Sequence, residues 1–581
     1  MMRNPANYRS INQKIIFLLG SICCVVSGIV MRLVYLQINR TEDLSARSKK
    51  NFLQMDMIAS PRGNILDRNG NLLATNKPTI HVHWYGSGNN SFTKEQWSTL
   101  QTLGTILHKD IVADQPLMSA LKRAERYRKK TRIAQEISFQ QLSQIVEQFP
   151  YDCNLTISTD FKRYYPYKSY ASHVLGYLGN MGIDSYGKMG LENILDDSLQ
   201  GEKGSVLKII DSIGASVTET TLRKALVGQH TRTTLDINMQ SMCEAVFPED
   251  QSGAIIIMDP YDGSIISLLS RPCFDPTTFL ERISNDHWQM LQEKKSFLNR
   301  ALNCSYPPGS IFKLVTVSAA LENGFVQPDV TVNCKGFYYF GRRKYWCNRH
   351  TGHGELTLTQ ALAHSCNPLF FELGTQIDID ILAEYAHKFG LGHKTNFLFS
   401  EASGLVPTRA WKKEQKGERW WTGETLSVTI GQSYLLATPI QIARMISAIF
   451  TGYLVTPRIL MHEPVCKQPL GITAETRKFL QKSMKQTVKH GTGKSLQKLS
   501  EIKVYAKTST AQTSNLDKRK LGTDYLEHGW FVANFAYKNN SPLTMVILVE
   551  NAGTAQVATK VAKNFLLKYK QFVDKQELKH T

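Results

Sequence analysis

Two residues at the start of an expected helix could carry nucleophilic catalysis. Ser310 and Lys313 follow two prolines and a glycine, and an apolar run comes after them. The prolines and glycine predict a rigid turn, and the apolar run predicts a buried helix that begins near Ser310. Three residues apart, the two side chains share a helix face, so the lysine amine can reach the serine hydroxyl. An amine that burial or a second cation makes neutral can serve as the base that serine needs.

Two later segments decide how this pair is interpreted. A Ser-x-x-Lys pattern alone fits a helix cap followed by a surface lysine equally well. However, Ser365-Cys366-Asn367 places a hydroxyl and an amide two residues apart, and Lys507-Thr508-Ser509 follows much later. The order and broad spacing resemble those of the serine acyltransferases that recognise penicillin.

Length and charge limit the architecture and the partners. The chain has 581 residues, more than one compact core usually holds, so we expect two or more domains. A formal net charge of +20 suits nucleic acid, an anionic membrane surface or an anionic polymer. No nucleic-acid-binding motif accompanies the charge, so we expect no nucleic-acid partner.

The N-terminal region predicts a membrane anchor. Residues 15–31 are apolar and uncharged, and three cations precede them. At 1.5 Å per residue this run covers about 25 Å of a hydrocarbon core of about 30 Å, and apolar residues up to 36 extend it. A cleaved signal peptide is the alternative, but no small-residue cleavage site follows. The expected order is a cytoplasmic tail (1–14), a transmembrane anchor (15–36) and a remainder beyond the membrane.

Several motifs together resemble those of class B penicillin-binding proteins. Ser60-Pro61-Arg62-Gly63 is similar to the first motif of their non-catalytic domain, and Gly176-Tyr177-Leu178-Gly179 to a later one. The latter motif, a cysteine-rich insertion and the spacing from Asp275 to Arg300 resemble the elongation type, with the septal type as the alternative. The resemblance implies an α+β fold: a transmembrane helix, an elongated mixed α/β non-catalytic domain of the pedestal or dimerisation type (37–230), and a transpeptidase domain (231–575). The latter has a central, mainly antiparallel sheet flanked by helices.

The resemblance also assigns roles to the catalytic candidates. Ser310 would attack the carbonyl of a D-Ala-D-Ala stem peptide and form an acyl-enzyme, with Lys313 as the base. The positive charge of Lys507 would lower the pKa of Lys313. Ser365 would relay the proton to the leaving group, and Asn367 would hold the peptide backbone.

The Lys507 segment is expected on an edge strand beside which the substrate lies as an added strand. Thr508 and Ser509 would meet the terminal carboxylate, and the backbone N–H groups of Ser310 and, by resemblance, Thr510 would form the oxyanion hole. Ser509 departs from the family, which usually has glycine there, so substrate fit and β-lactam affinity stay open.

A second group of residues could bind a metal. Cys334, Cys347, His353 and Cys366 lie within a short interval, and three thiolates with one imidazole suit a tetrahedral, structural zinc site. A Cys334–Cys347 disulfide is the alternative. The resemblance favours zinc, because some elongation-type relatives carry a metal here, and it leaves His350 as a spare residue. The acyl transfer itself needs no cofactor.

The domain organisation predicted from the sequence also implies a protein partner. Between the anchor and residue 230 there is no room for a glycosyltransferase domain. The resemblance therefore implies a multi-spanning glycosyltransferase partner of the elongation machinery in the bacterial inner membrane, with the catalytic domain in the periplasm. Stem peptides and β-lactams are the expected ligands. A D,D-carboxypeptidase or β-lactamase, using water as the acceptor, and a non-enzymatic β-lactam sensor are the alternative functions.

Overall fold

The computed structural model describes residues 5–45, 53–58, 60–150, 152, 154–181, 184–210, 216–512 and 522–580. The first four residues of the predicted tail therefore lie outside the described residues. Contacts divide the chain into two compact units. Unit 1 comprises Met1–Pro61, Lys77–Lys162 and Gly201–Val227, and unit 2 comprises Arg62–Asn76, Arg163–Gln200 and Gly228–Thr581. The domain boundaries at 36 and 230, which follow sequence order, stay predictions.

The helices of the described residues, numbered in chain order, are α1 (Pro5–Val34), α2 (Lys94–Leu107), α3 (Gln115–Tyr127), α4 (Phe139–Gln148), α5 (Ser172–Leu175), α6 (Gly190–Ile194), α7 (Asp196–Leu199), α8 (Ile237–Val246), α9 (Asn285–Glu293), α10 (Lys313–Glu322), α11 (Leu358–Ala363), α12 (Pro368–Gln376), α13 (Ile379–Lys388), α14 (Arg409–Lys416), α15 (Thr422–Thr429), α16 (Pro439–Thr451), α17 (Ala474–Lys489) and α18 (Ala555–His580).

The strands are β1 (Leu53–Ile58), β2 (Ile65–Leu66), β3 (Leu72–Tyr85), β4 (Lys130–Ala134), β5 (Leu155–Tyr164), β6 (Leu178–Met181), β7 (Asp184–Gly187), β8 (Gly204–Ile210), β9 (Ser216–Arg223), β10 (Thr231–Arg232), β11 (Gly253–Met258), β12 (Ile265–Arg271), β13 (Thr331–Cys334), β14 (Phe337–Phe340), β15 (Arg343–Trp346), β16 (Gly354–Thr357), β17 (Tyr453–Val455), β18 (Lys467–Pro469), β19 (Ile502–Ala511), β20 (His528–Tyr537) and β21 (Leu543–Val549).

The core of unit 2 is a five-stranded antiparallel sheet in the order β12-β11-β21-β20-β19. Side chains alternate along each strand, so both faces of the apolar strand β11 are buried. Ala254 and Ile256 belong to the core that contains α10 and α16, whereas Ile255 and Ile257 belong to the core that contains α18. The predicted antiparallel sheet flanked by helices is therefore confirmed, and β19 lies at its edge among the described strands.

Helix α10 lies inside the first of these cores. Its residues from Lys313 to Ala320 are all buried, which fits a helix that is apolar around most of its circumference. The one charged side chain in that run, Lys313, is fully buried. A buried amine without a carboxylate partner is costly, so its presence here indicates a chemical use.

The N-terminal helix α1 continues as a π-helical turn, Tyr35–Asn39. The most apolar 18-residue stretch within Lys14–Asn39 has a mean hydropathy of 2.3, and none of it is buried. Such a helix is long and apolar enough to cross a membrane once, as the sequence predicts. Elsewhere in unit 1, β3 pairs with β4, and the buried Trp84 packs with Leu100 and Leu121 of α2 and α3.

Candidate active site

Ser310 lies in a 3₁₀ turn directly before α10. Two hydrogen bonds hold this turn: Trp530 Nε1 donates to the Pro307 carbonyl at 3.1 Å, and the Gly309 N–H donates to the Gly431 carbonyl at 2.9 Å. Ser310 is half-buried, and its hydroxyl has no hydrogen-bond partner in the part of the chain that the structure describes. The predicted hydrogen bond between the Ser310 hydroxyl and the Lys313 amine is therefore not formed, and Lys313 Nζ donates to Ser365, Cys366 and Asn367 instead.

The Lys313 amine faces a ring of oxygens one turn further along. Its Nζ donates to the Ser365 carbonyl at 2.8 Å and to Asn367 Oδ1 at 2.7 Å, and it lies 3.4 Å from Ser365 Oγ. Complete burial lowers its pKa to about 8, against the opposing effect of the Cys366 and Cys347 thiols. A neutral amine, with two N–H donors and one lone pair, is therefore accessible near physiological pH.

Lys507 approaches the same serine from β19. Its Nζ donates to Ser365 Oγ at 3.1 Å and to the Thr508 carbonyl at 3.0 Å. Burial, and then the charge of Lys313, hold the pKa of Lys507 well below its usual value. A positive charge on one of these two buried amines therefore disfavours a charge on the other. The hydroxyl of Ser365 lies between the two amines.

Ser365 adopts an unusual backbone conformation. Its φ of 57° lies in the left-handed region, which glycine normally occupies after a helix. The Ser365 N–H donates to the Leu362 carbonyl at 3.2 Å and the Cys366 N–H to the Ala361 carbonyl at 2.8 Å, the two bonds of a Schellman motif that ends α11. Residues 365–367 therefore form a turn that joins α11 to α12.

Asn367 contacts the nucleophile's helix and a neighbouring hairpin at once. Its Oδ1 accepts from Lys313, and its Nδ2 donates to the Trp346 carbonyl at 3.0 Å. Trp346 ends β15, and no sequence pattern predicts that its carbonyl reaches this side chain. The hairpin β14–β15 therefore orients Asn367, which was predicted to hold the substrate backbone.

Ser509 faces the nucleophile's turn. It is buried, its hydroxyl has no hydrogen-bond partner among the described residues, and a Cβ built on Gly309 would lie 2.3 Å from its Oγ. Gly309 also has a φ of 53°, so glycine is needed there for both conformation and space. The serine that replaces the usual glycine of the family thus occupies space next to the residue before Ser310.

The side chains of Thr508 and Thr510 on β19 form hydrogen bonds to two other segments. Thr508 is buried and its Oγ1 lies 2.5 Å from Thr492 Oγ1, whereas Thr510 is exposed and its Oγ1 accepts from the Ala555 N–H at 3.0 Å. Thr492 belongs to a Gly-Thr-Gly turn, residues 491–493, which resembles part of a phosphate-binding loop but lacks that motif's upstream glycine. The sequence motifs do not predict the contact of Thr492 with Thr508. The feature that could have indicated it is a small, polar turn shortly before the edge strand β19.

The predicted metal ligands converge beside this site. The ligand atoms of Cys334, Cys347, His353 and Cys366 all lie within 4.8 Å of one another. His353 Nδ1 is 3.6 Å from Cys334 Sγ and 3.5 Å from Cys347 Sγ. Tetrahedral zinc, with bonds of about 2.3 Å to sulfur and about 2.05 Å to nitrogen, places such atoms about 3.6 Å apart. The donor set therefore fits a four-coordinate metal.

The cysteines of the cluster are free in this structure, which does not contain the alternative Cys334–Cys347 disulfide. A hydrogen bond from the Cys366 thiol is the main cause that lowers the pKa of Cys347 to about 4, while the same contact and burial raise the pKa of Cys366. Cys366 follows Ser365 directly, so the cluster holds the turn that carries Ser365 and Asn367.

Known proteins resemble the chain over most of its length. Residues 253–567 match the family model described as the penicillin binding protein transpeptidase domain, and residues 57–233 match the penicillin-binding protein dimerisation domain. The peptidoglycan D,D-transpeptidase MrdA of Acinetobacter baumannii is 28% identical over 95% of this chain and 86% of its own.

Two solved structures are similar to the chain over most of its length. A penicillin-binding protein 2 in complex with MreC from Helicobacter pylori superposes with a TM-score of 0.75 at 26% identity, over 90% of this chain and 99% of that one. A chain from a structure on the coordination of polymerization and crosslinking by a peptidoglycan synthase complex has a TM-score of 0.74 at 28% identity, over 96% and 98%.

Proposed function

Because this chain belongs to the penicillin-binding protein transpeptidase family, we propose that it cross-links peptidoglycan as a serine D,D-transpeptidase of the elongation type. One observation carries the proposal: the Ser365 hydroxyl lies 3.4 Å from the Lys313 amine and 3.1 Å from the Lys507 amine, beside the turn of Ser310. Buried amines that share one hydroxyl form a path for protons, which acyl transfer requires. Its similarity to relatives named peptidoglycan D,D-transpeptidase supports the substrate class.

Acylation uses the chain's own groups. Ser310 Oγ attacks the carbonyl of the penultimate D-alanine, and its proton passes to the neutral Lys313 amine. The C–N bond then breaks, and the departing D-alanine amine takes a proton through the Ser365 hydroxyl. The N–H groups of Ser310 and Thr510 stabilise the oxyanion. Deacylation reverses these transfers, with an amine of a neighbouring stem peptide as the nucleophile.

Substrate binding would set the protonation of the two lysines. The terminal carboxylate of the stem peptide, placed next to β19, raises the pKa of Lys507 by charge attraction. A positively charged Lys507 then disfavours a second charge on Lys313, which stays neutral as the base. The predicted influence of Lys507 on Lys313 thus belongs to the substrate-bound state.

Mass spectrometry and a partition assay test the function. A penicillin should add to Ser310 and not to a Ser310→Ala variant. With labelled stem peptide, product should shift from hydrolysed to cross-linked peptide as an acceptor amine is added. Hydrolysis regardless of acceptor would indicate a carboxypeptidase instead, and a Ser310→Ala variant that still supports cell growth would indicate a sensor.

Zinc is the proposed occupant of the cysteine–histidine cluster. Bound there, it would supply a structural cross-link between β13, the end of β15 and the turn at Cys366. Three thiols this close would otherwise oxidise easily outside the cytoplasm. Metal analysis of the purified chain should find one zinc per chain, with the corresponding thiols released by a chelator. Two missing thiols and no metal would indicate the disulfide.

The partner and the orientation follow from the same reasoning. Lys14 and the cations before it should keep the N-terminus in the cytoplasm, and unit 2 should lie in the periplasm of the inner membrane. A reporter fused at the C-terminus that is active only in the periplasm would test this. The chain should also bind a membrane-embedded glycosyltransferase, which co-purification from detergent would show.

A further inference from the structure

The outer face of the hairpin β14–β15 carries exposed aromatic rings and a cation. In its register, Phe337 pairs with Trp346 and Tyr339 pairs with Lys344, so these four side chains share one face. Tyr339 is 60% exposed and Trp346 is 47% exposed. The opposite face is occupied, because Tyr345 on it packs against a ring of α12. The outer face therefore has no protein partner among the described residues.

The cation and the rings on this face are arranged as one surface. Lys344 Nζ lies 3.9 Å from the ring centre of Phe337 and 4.0 Å from that of Trp346, and the His350 ring stacks on Trp346 at 4.8 Å. Cation–π contacts hold the lysine over the rings rather than in bulk water. Large exposed rings held in fixed positions mark an interaction surface more often than a solvated one.

Charge identifies the chemistry of the partner. Residues 335–350 contain five cations and no carboxylate: Lys335, Arg342, Arg343, Lys344 and Arg349. An anionic polymer suits such a segment. Ring faces carry partial negative charge and pack well on the C–H faces of sugars, so a ligand with both sugars and carboxylates fits best.

The position of the hairpin completes the argument. The Trp346 carbonyl accepts from Asn367, so the end of the hairpin at Trp346 lies next to the candidate active site. A stem peptide acylated on Ser310 remains attached to its glycan, which must leave the cleft over a neighbouring surface. Resting on the function proposed above, we infer that the face of Phe337, Tyr339, Lys344 and Trp346 binds the peptidoglycan strand, its rings against the sugars and Lys344 against a stem-peptide carboxylate.

A double variant on this face separates strand binding from catalysis. Tyr339→Ser/Lys344→Gln removes one ring and one charge from positions that do not contact the catalytic side chains. Tyr453→Ser/Lys467→Gln is the matched control, because it makes the same changes at exposed positions of the pair β17–β18. Binding of full-length protein to purified, uncross-linked strands with intact stem peptides would be measured, together with acylation by a small fluorescent penicillin.

The Tyr339/Lys344 variant should bind strands about tenfold more weakly, whereas the control should bind like the wild type. Both should be acylated at the wild-type rate. Strands stripped of peptides by an amidase should bind the wild type more weakly, and the difference between the variants should shrink to the part that comes from the Tyr339 ring. Equal binding by all three proteins, or equally strong displacement by single-stranded DNA, would overturn the inference. Failure of wild-type acylation would instead count against the proposed function.

Discussion

Lys313 combines complete burial with several oxygen neighbours, so its protonation should control acylation. Because the neutral amine is the base and burial lowers its pKa to about 8, the acylation rate should rise with pH around a midpoint near 8. An unperturbed lysine would give a midpoint near 10.4. Stopped-flow acylation by a chromogenic β-lactam between pH 6 and 10 measures this.

The matched control for that profile is Lys313→Arg, which keeps the charge but cannot become neutral. Its acylation rate should fall by about 10²- to 10⁴-fold at every pH in the range. A flat wild-type profile, or an arginine variant that keeps the rising limb, would contradict the role of Lys313 as base.

Ser365 provides the next residue-scale prediction, because its hydroxyl and its backbone can be separated. Ser365→Ala and Ser365→Gly both remove the hydroxyl between the two amines, so both should acylate about 10²-fold more slowly. Glycine accepts the φ of 57° without steric cost, and the glycine variant should therefore be about 1 kcal/mol more stable than the alanine variant. Urea unfolding and acylation kinetics measure the two effects. Equal stability, or near-normal acylation in either variant, would contradict this account.

At the scale of elements, the cysteine–histidine cluster connects three segments that follow Ser310 in sequence. Cys334 ends β13, Cys347 follows β15, and Cys366 lies in the turn between α11 and α12. Removing one ligand should loosen the turn that carries Ser365 and Asn367. Cys334→Ser should therefore lose the metal, lower the Tm by about 5 °C and slow acylation.

Cys466→Ser is the control for that variant, because Cys466 is exposed and free. It should retain metal, Tm and acylation rate. If Cys334→Ser kept the Tm and acylation rate of the wild type, the cluster would have no structural role in the site. Calorimetry and metal analysis on the same samples distinguish these outcomes.

Element types were largely predictable from the sequence, because the local pattern determines them. The apolar run 254–258 predicted a buried strand, and Asn69-Gly70 predicted the turn between β2 and β3, where Gly70 has a φ of 89°. The C-terminal helix spans Ala555–His580, and its end was not predictable because its charged second half lacks a continuous apolar stripe.

The candidate site was predictable only in part, because a local sequence pattern does not determine contacts between distant segments. The spacing of known motifs identified Ser310, Lys313 and Lys507, and the structure brings both lysine amines to the Ser365 hydroxyl. The left-handed turn at Ser365 was not predictable, because a serine gives no local sign of that conformation. Contacts such as Asn367 with Trp346 depend on the position of a hairpin, which a sequence pattern does not specify.

At the scale of the whole molecule, unit 2 is assembled from separated segments. Leu175 and Leu191 share a core with Leu235 and α10. Within the same unit, the buried Glu192 accepts from Arg62 at 2.6 Å and from Arg163 at 2.7 Å. A fragment that begins at residue 231 would expose this core and remove these side chains. It should therefore be insoluble or far less stable.

A fragment that keeps all three segments should fold on its own. Arg163 Nη1 lies 3.5 Å from Asn76 Oδ1, and the Gln229 N–H donates to the Ser198 carbonyl at 2.9 Å, so short Gly/Ser linkers can replace 77–162 and 201–227. This chain, from Arg62 to the C-terminus, should be monodisperse without detergent and take up penicillin at the rate of the full-length protein. Size exclusion, thermal unfolding and adduct mass measure this beside the fragment 231–581. Equal stability of the two fragments would show that the segments from 62–76 and 163–200 contribute nothing to the catalytic fold.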